Sequence, residues 1–186
     1  GGNLALLTDS AVLSFGADSD VTITHDPDDG LFLKSKATAD NNPVLLTLQT
    51  GETDIATNDV LGIINFQAPD EGTGSDAILV AAAIQARSEQ DFSASVNKTS
   101  IDFMTGESEA ATTKMTLSSA GNLDITGDLT ISGDDLYMGT NTSGAALIAD
   151  GTNFNPVVIS GDATIATNGA LTIAATAVEG SMLNNN

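Results

Sequence analysis

The sequence predicts an all-β chain: short strand repeats with a compact β module in the middle. Three observations carry that prediction. Apolar residues alternate with polar ones in short runs, clusters of Gly, Asp, Asn and Pro interrupt those runs, and large aromatic side chains are scarce. Of 186 residues, 41% are hydrophobic, yet the aromatics are six Phe and one Tyr with no Trp, and much of the apolar count is Ala. Large side chains supply most of the area that a core buries, so one chain builds only a thin core. The remaining burial has to be found between chains.

The elements follow in order. From Asp20, Asp-Val-Thr-Ile-Thr-His leads into the turn cluster Asp26-Pro27-Asp28-Asp29-Gly30 and on to Leu31-Phe32-Leu33-Lys34. Val21 and Ile23 alternate with Thr, and Leu31 and Leu33 alternate with Phe and Lys, the period of two of half-buried strands joined as a hairpin. Longer elements follow at Val44 to Gln49, Val60 to Gln67, Ala77 to Arg87, Ser100 to Met104 and Lys114 to Leu117, separated by loops such as Ala68 to Asp76. The Ala-rich stretch from Ile78 to Arg87 fits a helix by composition, while its flanking loops and β surroundings favour a buried strand.

From Gly121 a near-repeat begins, with apolar pairs Leu123/Ile125, Leu129/Ile131 and Leu136/Met138, each followed closely by Gly. It resumes more loosely with Val157/Ile159, Ala163 to Ile165 and Leu171/Ile173. Each repeat specifies one very short strand and one tight turn. Such a strand does not offset a backbone ordering cost of roughly 1 to 2 kcal/mol per residue, so the ladder needs neighbours, from stacked repeats or from identical chains around an apolar axis. The expected organisation is short-strand β repeats over 1–40, a compact β module over 41–119, a β-repeat shaft over 120–140, and a looser shaft with a C-terminal connector over 141–186.

Charge excludes several classes. With 25 acidic residues against 5 basic ones, the formal net charge is −20, and no cation occurs from Met115 to Asn186. The cations are Lys34, Lys36, Arg87, Lys98 and Lys114, which form no basic patch, so neither nucleic acid nor an anionic lipid surface is an expected partner. There is no Cys, hence no disulfide framework and no thiolate chemistry. The longest apolar run, Ala77 to Ile84, falls far short of the roughly 20 residues that span a bilayer, so no membrane insertion is expected. The start, Gly1-Gly2-Asn3, lacks the features of a signal peptide, and the chain reads as a piece of a longer one.

The run from Thr116 to Leu129, TLSSAGNLDITGDL, resembles the tail-fibre and related virion proteins of tailed bacteriophages, particularly those of marine bacteria. So do Leu13 to Asp26, Leu61 to Ala68 and the closing Thr176 to Asn184, patches that together touch most of the chain. The resemblance implies an elongated, homotrimeric, mostly β fibre whose shaft carries knob-like modules, located in the virion tail, with other tail or virion proteins as partners and receptor contact at a distal tip. The apolar residues of the repeats would then face the trimer axis: Leu123, Ile125, Leu129, Ile131, Leu136, Ile159, Ile165, Leu171 and Ile173. Three chains would bring about 60 negative charges together, a repulsion that an extended shaft spreads out.

Candidate chemistry is sparse. Asp26, Asp28 and Asp29 beside His25, Asp18 and Asp20 could hold Ca²⁺ through oxygen ligands, but the spacing breaks the EF-hand rule and a solvated hairpin turn explains it. The single-Gly repeats lack the Gly-Gly-x-Gly-x-Asp pattern of a calcium β-roll. No Gly-x-Ser-x-Gly elbow accompanies the lone His, so no nucleophilic enzyme is expected. A glycosidase pair of carboxylates is easy to imagine among so many acids, yet the aromatic platforms that grip sugars are missing. Gly72-Thr73-Gly74 reads as a turn, and the sequons at Asn97 and Asn141 carry no weight in an Asn- and Thr-rich chain. No catalytic residue, cofactor or metal is assigned. The alternative to the structural role is a module within 41–119 that binds a host-surface glycan, which exposed Phe66, Phe92 or Phe103 would support; a calcium-dependent adhesin is a third class.

Overall fold

The structure, a computed structural model, describes residues 2–68, 74–133, 135–139 and 144–180. Two units divide it, Gly1–Asp128 and Leu129–Asn186. Every regular element among the described residues before Gly180 is a strand, and every ladder is antiparallel, so the all-β expectation stands. Residues 72 and 73 of the expected glycine turn, most of the loop before Asp76 and the Asn141 sequon lie outside the described residues.

In the first unit, β1 (Val12–Phe15), β2 (Val21–Asp26) and β3 (Gly30–Ser35) form a meander. The β2–β3 hairpin closes where Pro27 and the Asp residues lie, with Asp28 at φ +68° and Gly30 at φ +120°. Asp tolerates the left-handed region and Gly favours it, which is why this cluster turns the chain. Leu13, Ile23 and Leu33 stand opposite one another across the three strands and therefore share a face.

The second sheet of this unit is a five-stranded meander of β4 (Val60–Gln67), β5 (Val80–Ser88), β6 (Thr99–Thr105), β7 (Thr112–Leu117) and β8 (Leu123–Ile125). The Ala-rich stretch is strand β5, because both of its edges bond to neighbours, β4 and β6. Leu123 and Ile125, the first rung of the near-repeat, hydrogen-bond to β7 and complete this same sheet. One expected element is corrected. Val44 to Gln49 forms no strand, and no backbone hydrogen bond joins residues 43–49 to any other described residue. Its composition suits a strand, but a strand exists only with a partner, and the described residues present none there.

The second unit holds two hairpins, β9 (Ala145–Ala149) with β10 (Phe154–Val158), and β11 (Ala163–Ile165) with β12 (Leu171–Ile173). Gly144, at φ +76°, brings them close: a Cβ there would lie 2.5 Å from the Ile165 carbonyl oxygen. Asp150 organises the β9–β10 turn by accepting the N–H groups of Thr152 and Asn153 and the Asn155 amide. Those donors hold its carboxyl below the usual carboxylate range, the Asn153 N–H most of all.

Candidate functional site

The two faces of the five-stranded sheet are chemically opposite. Registers across it set Ile64, Ile84, Phe103, Met115 and Ile125 in one row, and Gly62, Ala86, Ile101, Leu117 and Leu123 in the next row of the same face. Neither row contains a charged residue. The face is open in the single chain: Phe66 is 54% exposed, Leu123 56%, Ile84 38% and Phe103 36%. Beside Gly62 it dips into a hollow of about 300 Å³ lined mostly by aliphatic residues, Leu48, Leu61, Ile64, Ile84 and Ile101 among them, with Gln85 as its polar member. Glycine is needed there, since a Cβ on Gly62 would stand 2.9 Å from the Leu48 Cβ.

The opposite face carries the polar residues, in the row Ile63, Gln85, Asp102, Thr116 and Asp124. Asp102 on the central strand is fully buried, as is Ser100. Its carboxylate accepts from Arg87 Nε at 2.7 Å and Nη2 at 3.3 Å, Gln85 Nε2 at 3.1 Å, Thr116 Oγ1 at 3.0 Å and Ser100 Oγ at 3.3 Å. Burial pushes the Asp102 carboxyl up, but the bonds from Arg87, Gln85 and Thr116 outweigh it and hold the group below its ordinary value. The same bond raises Arg87, whose Nη1 also reaches the Asn58 side chain at 3.0 Å. No buried side-chain nitrogen or oxygen among the described residues lacks a partner. The network is closed on itself and offers no group to a ligand.

One end of the sheet is knotted by loops. Ser88 donates its hydroxyl to the Ala56 carbonyl, and Asp91 accepts the N–H and hydroxyl of Thr57 at 2.8 and 3.0 Å, which hold its carboxyl low. Glu89 accepts the Ser119 hydroxyl and N–H, and is held low chiefly by the hydroxyl. These contacts tie 55–59 and 118–119 to the β5 end.

The expected axis residues divide three ways. Leu123 and Ile125 share the open face of the five-stranded sheet. Ile165, Leu171 and Ile173 are brought to one face of the β11–β12 hairpin, opposite Thr164 and Thr172. Leu129, Ile131, Leu136 and Ile159 lie outside any strand, and Leu129, Ile131 and Leu136 are exposed. His25 stands in β2 opposite Leu31 and lines an apolar hollow of about 290 Å³ with Leu6, Leu13 and Ile23. Among the described residues no three His, Cys, Asp or Glu side chains gather as a metal would require. No helix among them is long and apolar enough to cross a membrane.

Sequence reasoning did not single out the pairing of Arg87 with Asp102. Its signal is parity: Gln85 and Arg87 alternate with Ala86, as Ser100 and Asp102 alternate with Ile101, so each strand has one polar side. Compared with family models, curated proteins and solved structures, the chain has no match.

Proposed function

We propose that this chain is a structural segment of a homotrimeric, β-rich bacteriophage tail fibre, a shaft with a knob module that positions host receptor binding and performs no catalysis. One observation carries the self-association in this reading. Among the described residues the only buried hydrophobic side chain is Ala83, at 3% exposure, while large aliphatic residues in every sheet stand open to water. Soluble chains seldom leave contiguous apolar surface of this kind uncovered, and copies of the chain supply the missing burial. The tail-fibre assignment rests on the resemblance of the Thr116 to Leu129 run and its companions. The measurement is solution mass: the reading expects about three times 18.8 kDa, falling to a single chain when Ile131→Asp puts charge at the axis. A wild-type chain of 18.8 kDa at high concentration refutes it.

Exposed Phe66 and Phe103 keep the glycan-binding alternative in view. Sugar sites combine an apolar platform with convergent polar groups for the hydroxyls. Phe103 is instead flanked across the strands by Ile84 and Met115, which favours protein over sugar.

A further inference from the structure

We infer that the apolar face of the five-stranded sheet, with the Val44 to Leu48 segment at its margin, is the surface through which copies of this chain bind one another. The inference rests on the self-association proposed above and places it. Four observations lead to a second copy as the occupant.

The first is charge. At a formal net charge of −20, two copies meeting across most surfaces bring like charges into contact. This face carries no charged side chain in either full row, so a copy seated on it meets no such repulsion. A cationic partner would be drawn to the acids, and this face offers it none.

The second is size. Five strands about 4.8 Å apart, with two same-face rows about 6.8 Å apart, give a patch of roughly 330 Å². That already falls in the range of the largest patch on a typical monomer, about 300–600 Å², and supplies about two fifths of the ~800 Å² per partner in a stable interface. Leu48 adjoins it at Gly62 on β4, and Val44, Leu45 and Leu46 just before it in the chain are exposed as well.

The third is the backbone of that extension. Residues 43–49 run without a backbone hydrogen bond to any other described residue, although the sequence there is strand-forming. An apolar segment whose N–H and C=O groups meet no backbone partner among the described residues finds partners most simply in another chain.

The fourth is shape. The face carries both open rings, Phe66 and Phe103, and the hollow beside Gly62, so a ring of one copy has a receptacle on the next. A knob and a hole at different positions of one surface make a heterologous contact, which closes into a ring when the rotation permits.

Because the chain has no Cys, single cysteines placed in the full-length protein report contacts without background. Phe103→Cys probes the apolar face and Asn65→Cys the opposite one, each treated with a bis-maleimide spanning about 10 Å, the spacing of packed sheets. Strand content by circular dichroism checks that both fold. The inference expects covalently linked chains from Phe103→Cys at least tenfold above Asn65→Cys, and dissociation of the assembly by Ile84→Asp. A multimer linked through Asn65→Cys but not Phe103→Cys, and indifferent to Ile84→Asp, overturns the placement while leaving self-association standing. Wild-type protein that stays at 18.8 kDa removes both. That last result would also leave the face free for a different protein or a lipid surface.

Discussion

Replacing Asp102 tests the physical basis of the five-stranded sheet. The carboxylate is fully buried on the central strand and gathers donors from β5, β6 and β7, so Asp102→Ala strips the acceptor from four side chains at once. Breaking a buried pair by removing one partner costs about 3–5 kcal/mol, chiefly through the charge left behind. Here that charge is Arg87, whose side chain is 28% exposed and keeps its bond to Asn58, so part of it is rehydrated. The cost therefore falls at the lower end, about 3 kcal/mol. Fluorescence does not read this: the chain has no Trp, and Tyr137 lies outside the sheet. Native-state hydrogen exchange of the β5 and β6 amides does, and a loss of that size speeds their exchange by about a hundredfold. The double variant Arg87→Met with Asp102→Leu recovers most of the loss, since an apolar pair leaves no stranded charge. If Asp102→Ala changes exchange less than about threefold, within the ±0.5 kcal/mol of an ordinary surface substitution, the network does not hold the sheet.

Acid acts on the same carboxylate. Its folded pKa is depressed, so its contribution is full above the unfolded value of about 3.9 and is lost as pH falls below that toward the folded value; the opening equilibrium of β5 and β6, obtained by dividing each exchange rate by the intrinsic amide rate at the same pH, stays flat from pH 6 until about pH 4 and then rises, while in Asp102→Asn the rise is blunted. Gly62→Ala drives a Cβ into Leu48, and because residues 43–49 have no backbone bonds to other described residues, the segment lifts away rather than straining β4; limited proteolysis within 43–49 accelerates at a cost of about 1 kcal/mol, with sheet exchange unchanged. Chelator leaves the melting temperature where it was, and a fall of several degrees that added Ca²⁺ restores would move the Asp18 to Asp29 region from turn to metal site.

Legibility in the sequence followed the range of the interaction. The β2–β3 hairpin and β4 are local: alternation across Val21 and Ile23, a Pro/Asp/Gly turn, and an apolar run bounded at Val60 and Gln67 suffice to place them. The stretch from Ile78 to Arg87 was open to helix or strand because Ala satisfies both periods, and only ladders to β4 and β6 decide it. Val44 to Gln49 has the composition of a strand without its partner, information that no local pattern holds. Leu129/Ile131 and Leu136/Met138 repeat the spacing of Leu123/Ile125, yet Leu123 and Ile125 pair with β7 while Leu129, Ile131 and Leu136 lie outside any strand. Arg87 and Asp102 are fifteen residues apart, and their meeting depends on the register of β5 with β6.

That register links the buried network to the open face. Side chains alternate along a strand, so a slip of one residue between β5 and β6 would exchange their faces, turning Asp102 toward the apolar side and Phe103 toward Arg87. A thin-cored sheet has little hydrophobic burial of its own to oppose such a slip, because its aliphatic rows remain in water in the single chain. The carboxylate opposes it instead: Gln85 bonds to Asp102 from the position directly across on β5 and Arg87 from the diagonal, and both bonds are lost together in any odd register of β5 with β6, while Thr116 on β7 fixes the register of β6 with β7 in the same way. A closed ion network is a weak source of net stability but penalises every arrangement in which it is only partly satisfied. The polar face thus keeps Ile64, Ile84, Phe103, Met115 and Ile125 on one side, and rows free of charge face outward there only because Asp102 and Arg87 are locked on the reverse.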